Sequence, residues 1–380
     1  MLKKINILTI TERRADYSRY KPILDLIKKD KHLNYKLIVT GMHLLKKHGL
    51  TINQIKKDKL EIFKTIKSFS NIKNSDEAMV YAIGKVLIEM SKILKKFKPD
   101  IVLTGFDIGA NFALCVAGAH FNIPVVHIQG GEVSGSIDES IRHAMSKFSN
   151  YHLVANQDAK KRLIKMGEDK KKIFNVGCPS LDALRLVKEK SLLYLTKKYK
   201  FDFKKNFLCV LQHPVTTEKK NSKIQILETI KAVKLSKIPS FFIMPNNDAG
   251  FEKIMKSIKA SGFAWTSSLS LSEYKTVLKN CEILIGNSSS GIHEAASYNK
   301  PVINIGSRQN KRLKSKNILN SKYDNKEILK KIRFILNNKN FKKRLKKIKN
   351  PYGDGFSAEK IVKVLKKINL KLPVQKTITY

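Results

Sequence analysis

The stretch VHIQGGEVSGSIDESIRH, residues 126–143, decides how the rest of the chain is read. It opens as the end of a buried strand, Ile123-Pro-Val-Val-His-Ile, and breaks at Gly130-Gly131, where the backbone is free to turn or to approach a ligand closely. It supplies Gln129, Glu132, Asp138, Glu139, Arg142 and His143 in quick succession. Side chains of this kind at the carboxyl end of a strand suit acid–base chemistry and the binding of sugar hydroxyls. In open α/β sheets the ligand crevice lies at that end.

The flanking sequence repeats the pattern. Residues 4–10, KINILTI, read as a buried strand, and Thr11 to Arg19 as a polar loop with Arg14, Asp16, Ser18 and Arg19 at the turn. Tyr20 to Lys29 carries Ile23, Leu24, Leu26 and Ile27 at helical spacing. A helix N-terminus at that turn favours phosphate. No GxGxxG is present, so the chain gives no support to a dinucleotide cofactor. Lys36-Leu-Ile-Val-Thr is a second strand, ending at Gly41-Met42-His43, and 75–97 is helical by pattern. Ile101-Val-Leu-Thr-Gly is a third strand with Asp107 just past its end, and the small apolar residues 109–121 suit a helix packed closely on a sheet. His152-Leu-Val-Ala-Asn and Ile173-Phe-Asn-Val-Gly read as two further short strands. This alternation predicts an α/β fold with a parallel sheet covered on both faces.

Around 185–205 the chain becomes charged and loses strand character, so the expected connection between two domains, 1–185 and 200–350, falls there. A second series begins at Asn206-Phe-Leu-Cys-Val-Leu-Gln and ends in His213-Pro-Val-Thr-Thr-Glu. It continues through Phe241-Phe-Ile-Met-Pro, Cys281-Glu-Ile-Leu-Ile-Gly-Asn and Pro301-Val-Ile-Asn-Ile-Gly. In the last segment, 351–370, Ser357 to Leu370 is an amphipathic helix with Ile361, Val362, Val364, Leu365 and Ile368 on one side. Two α/β units facing each other are expected to enclose a ligand cleft.

Asn287-Ser288-Ser289-Ser290-Gly291 follows a strand and precedes a helix expected over Ile292–Ser297. Small hydroxyl residues and glycine at a helix start gather backbone N–H groups and hydroxyls in one concavity, which suits a diphosphate. Glu294, one turn in, is placed to hold ribose hydroxyls. Taken alone, the motif is equally well an ordinary capped turn. Likewise His213 alone is a structural histidine, Asp107 alone a helix cap and Gln129 alone a partner for backbone. The repeated placement of polar groups just past strand ends, in both halves, raises all of them together.

Lys+Arg number 75 against 31 Asp+Glu, a net charge of +44. The lysines are scattered through nearly every segment and aromatics do not interleave with them. They read as a solvated surface, and no nucleic-acid partner is expected. Such a charge still draws in an anionic substrate. No stretch reaches the ~20 apolar residues of a membrane span, and the N-terminal apolar run is stopped by Arg13, Arg14 and Asp16, unlike a signal peptide. Cys115, Cys178, Cys209 and Cys281 lack CxxC spacing and are expected to be buried, reduced thiols in a cytoplasmic protein. No His/Cys/Asp spacing forms a metal-ligand set.

Eight motifs together resemble the hydrolysing UDP-N-acetylglucosamine 2-epimerases, including the epimerase half of the animal bifunctional epimerase/kinase, over roughly residues 5–370. They are Arg14-Ala-Asp-Tyr-Ser, the run from Gly130 to His143, Gly177-Cys-Pro-Ser, Gln212-His-Pro-Val-Thr-Thr, Pro245-Asn-Asn-Asp-Ala-Gly, Gly286-Asn-Ser-Ser, Gly306-Ser-Arg-Gln and Tyr352-Gly-Asp-Gly. The resemblance implies a glycosyltransferase-B-like fold: two Rossmann-like domains, the site between them, and a last helix crossing back onto the first. It implies anti elimination of the nucleotide with loss of the C2 proton, then hydration of a glycal with C2 inverted. It implies no cofactor, a nucleotide-sugar substrate, and a homo-oligomer, dimer or tetramer, formed by the N-terminal domains. By motif position, Asp107, Asp138 and His213 match catalytic residues. Arg14, Arg19 and His43 match groups near phosphates and sugar, Ser288, Ser289 and Glu294 match nucleotide contacts, and Arg308 lies in a matching motif. Asp16, Ser18, Arg142, Ser290 and Gly291 complete the expected binding set.

Three features depart from that pattern. Gln129 stands where Glu is common, and an amide does not exchange a proton near neutral pH. Gly105-Phe106-Asp107-Ile108 stands where His-Gly-Asp-Arg is typical, and Arg19 where Lys is common. Because the other motifs are kept, a branch with a different sugar is expected, such as a nucleotide-linked 2,4-diacetamido-trideoxy sugar on the way to legionaminic acid. Glu132 is a candidate to share the proton transfer. The competing readings are a non-hydrolysing 2-epimerase, a glycosyltransferase of the same fold, and a nucleotide-sugar-binding protein disabled at Gln129.

Overall fold

The computed structural model describes residues 4–46, 49–69, 76–134, 137–245, 248, 250–370 and 374–379. Gly135 and Ser136 of the opening stretch, Asn246, Asn247 and Ala249 of the 245–250 motif, and Ser75 at the start of the helix read over 75–97 lie outside them.

The chain divides into two compact units. The first takes residues up to Glu132, then Ile137–Ala183, then Gly355 onward; the second takes Val133–Ser136 and Leu184–Asp354. Unit 1 holds seven strands: β1 (Ile5–Thr11), β2 (Leu33–Thr40), β3 (Ile62–Ile66), β4 (Ile101–Gly105), β5 (Val125–Ile128), β6 (Tyr151–Val154) and β7 (Ile173–Asn175). They lie in the order β3-β2-β1-β4-β5-β6-β7, and every pairing is parallel. Unit 2 holds β8 (Leu208–Leu211), β9 (Ser240–Ile243), β10 (Ala264–Thr266), β11 (Ile283–Gly286), β12 (Val302–Ile305) and β13 (Ile318–Ser321), ordered β10-β9-β8-β11-β12-β13 and again all parallel. The strand order turns back on itself between β1 and β4 in one unit and between β8 and β11 in the other. Ligand crevices of open α/β sheets form at such switch points.

The strands read as near-continuous apolar runs because both sheet faces are covered. In unit 1, Ile7, Leu37, Ile101, Leu103 and Val126 point to one core. Tyr20, Ile23, Leu24 and Ile27 of helix Arg14–Lys29 cover that core, with Ile361, Val362 and Leu365 of the last helix, Ser357–Leu365. The intervening Leu8, Ile38, Val102 and Val125 point to the other face, under helices Asp76–Lys96 and Gly109–His120. Unit 2 repeats the alternation, with Val210, Phe242 and Ile285 on one face and Cys209, Phe241 and Leu284 on the other. All four cysteines are buried and free. Among the described residues no helix is long and apolar enough to cross a membrane.

The structure corrects several local expectations. The polar run after β1 is already helix from Arg14, because Asp16 caps it: its carboxylate accepts the backbone N–H groups of Glu12 and Arg13, both at 2.9 Å. The charged segment 185–205 contains a helix, Leu192–Tyr199, started by the Ser191 side chain, and belongs to unit 2. The helix expected from Ile292 starts earlier, at Ser289. The strands absent from the sequence reading, β3, β10 and β13, all lie at sheet edges.

Candidate active site

In unit 1 the ends of β4 and β5 converge. Gly105 closes β4, and a Cβ there would stand 2.8 Å from the Ile128 carbonyl oxygen at the end of β5. Past these ends the backbone takes the left-handed region at Phe106 (φ 68°), Asp107 (φ 50°) and Gln129 (φ 60°). Non-glycine residues seldom accept it, at a cost of about 1 kcal/mol or more each. Packing repays part of this. Phe106 is buried edge-on against Tyr20, ring centroids 4.9 Å apart, with the Arg19 guanidinium 5.2 Å from its ring centre.

Asp107 does not cap a helix; the Nη2 of Arg142 donates to its carboxylate. Arg142 Nη1 donates to the Glu132 backbone oxygen at 2.8 Å. The buried guanidinium feels the charges of Asp107, Glu132 and Asp138 together. One cation thus pairs with Asp107 and lies within electrostatic reach of two further acids. The structure ties Arg142, expected to contact substrate, to the Asp107 carboxylate and the Glu132 backbone. The Glu132 carboxylate accepts from Asn156 Nδ2 at 3.2 Å, and Arg162 Nη1 donates to the Gly131 carbonyl at 2.5 Å. Asp138 and Glu139 open helix Asp138–Phe148, where their charge suits the helix dipole. His143 lies 3.8 Å from Glu139, and burial lowers its pKa.

The far end of the same helix is held by the C-terminal segment. Lys376 Nζ donates to the carbonyls of Ser146 (2.8 Å), Lys147 (3.0 Å) and Ser149 (3.0 Å) and pairs with Glu168. Glu168 also meets His152 at 3.0 Å and Lys147 at 3.1 Å.

At the β1 end, the Asp16 carboxylate is spent on the helix start, and the Ser18 hydroxyl donates to Ala15 O at 2.9 Å. Arg14 is exposed. His43 is buried between the hydroxyls of Thr11 (3.0 Å) and Thr51 (2.7 Å), and burial lowers its pKa. Gln129 does not bond to backbone through its side chain: its Oε1 accepts from Arg19 Nη1 at 3.2 Å and its Nε2 donates to Cys178 Sγ at 3.4 Å. Glu12 was not singled out in the sequence. It is buried just past β1, accepts the Ala110 N–H at 3.0 Å, and burial pushes its carboxyl up.

Unit 2 builds its own set of loops. Gly286 ends β11 at φ 133°, where a Cβ would lie 2.0 Å from the Leu211 carbonyl oxygen. This close crossing brings Asn287 against His213: Asn287 Oδ1 accepts the His213 N–H at 2.7 Å and Nδ2 donates to its carbonyl at 2.9 Å. The Asn287 carbonyl accepts from Arg308 (3.3 Å) and Gln309 (2.9 Å), and Arg308 lies 3.7 Å from Asp248. Ser288 caps the helix start by accepting the Ser290 N–H, and the Ser290 hydroxyl meets Tyr274 OH. Ser289 and Glu294 are half-exposed on the same short helix, and Gly291 packs directly on Val302 of β12. Asn287 is therefore the organiser of these loops. Its sequence signal, a polar residue between Gly286 and three serines, points to a diphosphate-binding helix start and not to a clamp on His213. Among the described residues no cluster of His, Cys, Asp and Glu has the makings of a metal site.

The profile of the UDP-N-acetylglucosamine 2-epimerase family matches residues 25–366. The chain belongs to that family. It is a nucleotide-sugar 2-epimerase. It is 37% identical, over 97% of both chains, to the UDP-N,N'-diacetylbacillosamine 2-epimerase (hydrolyzing) of Legionella pneumophila. It is 36% identical, over 85% of both, to the UDP-N-acetylglucosamine 2-epimerase of Neisseria meningitidis serogroup B. Identity to the GDP/UDP-N,N'-diacetylbacillosamine 2-epimerase (hydrolyzing) of Campylobacter jejuni is 31%, over 84% of this chain and 85% of that one. The crystal structure of the Neisseria meningitidis UDP-GlcNAc 2-epimerase bound to UDP-GlcNAc matches with TM-score 0.81 at 18% identity, covering 96% of this epimerase and all of that chain. The fold is thus the glycosyltransferase-B-like class expected from the motifs.

Proposed function

We propose that this epimerase is of the hydrolysing type. It takes a nucleoside-diphosphate-linked 2-acetamido sugar and water to the free manno-configured sugar and the nucleoside diphosphate. Elimination breaks the C1–O bond to the diphosphate and the C2–H bond and forms a C1=C2 double bond. Water then returns hydroxyl to C1 and a proton to the opposite face of C2. A C2–H beside no carbonyl is weakly acidic, so a placed base and an assisted leaving group are both required.

The observation that carries this reading is the acid group of unit 1. Past the ends of β4 and β5, on strained backbone, the buried Arg142 pairs with Asp107 and feels the charges of Glu132 and Asp138. Carboxylates gathered past strand ends beside a fixed cation are the kind of groups that base and acid roles need. Asp107 and Asp138 take the proton-transfer roles, Glu132 shares them, and Arg142 positions Asp107. In unit 2, His213, fixed through its backbone by Asn287, assists the leaving group. Ser288, Ser289, the Gly291 turn, Glu294 and Arg308 bind the nucleotide, while His43 and Arg14 serve the sugar and phosphate ends.

For the sugar, we place UDP-linked 2,4-diacetamido-2,4,6-trideoxyglucose first and UDP-N-acetylglucosamine second. The Legionella relative's name and the departures at Gln129 and Phe106–Ile108 support that order. Such products lead to nonulosonic acids. End-point NMR with both UDP donors and the GDP-linked diacetamido sugar tests the reading, scoring released sugar and its C2 configuration. A free manno product from one donor is expected. Tight UDP binding with no turnover on any donor would leave the binding-protein reading, which Gln129 alone favours.

A further inference from the structure

The departures from the family pattern meet in one place. Gln129, Arg19 and Phe106 are far apart in sequence, yet Arg19 Nη1 donates to Gln129 Oε1 at 3.2 Å while its guanidinium carbon sits 5.2 Å from the Phe106 ring centre. The amide is fixed in turn, its Nε2 donating to the buried Cys178 Sγ at 3.4 Å. Phe106 is fixed against Tyr20. The guanidinium is therefore gripped on two sides, by an aromatic ring and by a neutral oxygen.

Charge decides what this grip does. A carboxylate at 129 would form an ion pair with Arg19 and cancel its charge. The amide makes the hydrogen bond and cancels nothing. Ile108, one residue past Asp107, is buried at 3% exposure in the apolar core and brings no second cation there. At this point the positive charge therefore rests on Arg19. Only one of its five N–H donors is needed for Gln129.

We propose that Gln129 is a positioning residue that holds Arg19 as an uncompensated cation for the diphosphate of the nucleotide sugar. It is not a damaged acid–base group. This rests on the epimerase reading above. The same charge logic makes residue 129 a selector: neutral side chains there leave the cation available, and acidic ones remove it.

The test is UDP binding by titration calorimetry from pH 4 to pH 8, on the intact protein and three variants. Arg19→Met should weaken UDP binding roughly tenfold or more at every pH, as loss of one charge-assisted contact does. Gln129→Glu should weaken it similarly at pH 8, with the deficit closing as pH falls and the new carboxyl takes up a proton. Gln129→Met, neutral but without an acceptor, should show a smaller deficit that does not change with pH. A purely structural role for Gln129 would make the Met and Glu variants equally harmful and pH-independent, and that result overturns the proposal. So would Gln129→Glu binding UDP as tightly as the parent at pH 8, or turning over faster than it. Absence of turnover by the parent on every donor sinks the epimerase reading alone, because UDP titration reports the charge of Arg19 without any chemistry.

Discussion

Replacing Lys376 by Met should loosen the helix that carries Asp138 and Arg142, although residue 376 lies far from both in sequence. The Lys376 ammonium closes three carbonyls at the end of helix Asp138–Phe148 and pairs with Glu168, which is 1% exposed. A cation at a helix C-terminus in a partly buried setting is worth up to ~2 kcal/mol. Burial alone would raise the Glu168 pKa, but hydrogen bonds from His152 and Lys376 outweigh it and bring it to about 2 from 4.5. That depression corresponds to about 3 kcal/mol of stability at neutral pH. Lys147 remains 3.1 Å from Glu168 in the variant, so Lys376 accounts for only part of it. A total of ~2–3 kcal/mol follows, or roughly thirty- to hundredfold faster amide exchange in the last turn of the helix. The sign with pH is fixed: a carboxylate with a depressed pKa contributes fully above pH 4.5 and loses its contribution as pH falls towards 2. Hydrogen exchange read by mass spectrometry over 138–149 should therefore separate parent and variant widely at pH 7 and less at pH 3.5. Equal exchange at pH 7, or a gap that ignores pH, refutes the reasoning.

Asp107→Asn should lower turnover by roughly a hundredfold or more while UDP affinity stays within a few fold, because it removes a proton-transfer group and keeps shape; steady-state kinetics with calorimetry check this. Asn287→Ala leaves the buried N–H and C=O of His213 without their partner, at a cost of about 1–3 kcal/mol, and should lower both thermal stability and kcat. Phe106→Gly relieves the left-handed backbone, worth ~1 kcal/mol, but loses buried aromatic packing worth roughly 3–5 kcal/mol. Urea unfolding should find it less stable by about 2–4 kcal/mol, and a variant as stable as its parent contradicts the packing account.

Much of the architecture was legible because parallel strands buried on two faces announce themselves. Ile101-Val-Leu-Thr-Gly and Asn206-Phe-Leu-Cys-Val-Leu needed only their composition. The three missed strands sit at edges, where one flank is solvated and the pattern thins: in β3, Phe63, Lys64 and Thr65 are all exposed. The early start of the first helix was hidden because Arg14 and Asp16 look like loop residues until the Asp16 carboxylate is seen closing the cap. The candidate site was legible as a set of strand ends, since Asp107, Gln129 and His213 each follow an apolar run. Its internal wiring was not. That Arg142 reaches Asp107, that Asn287 clamps His213, and that Arg19 meets Gln129 are long-range facts with no local periodicity to signal them.

The discontinuity of unit 1 bears on how the protein is made. Its chain departs after Ala183 and resumes at Gly355, and the two crossings are tied together where the Asp182 carboxylate accepts the N–H groups of Ser357 and Ala358 at 3.0 and 2.8 Å. On the ribosome, the face of helix Arg14–Lys29 that Ile361, Val362 and Leu365 eventually cover waits for them through the synthesis of the intervening 171 residues, Leu184–Asp354. At typical translation speeds of about 5–20 residues per second, that is roughly ten to thirty seconds with an apolar face open to solvent. Unit 2, enclosed within this interval, has all its strands before unit 1 can close. The domain begun first is finished last, and until then its apolar face stays uncovered.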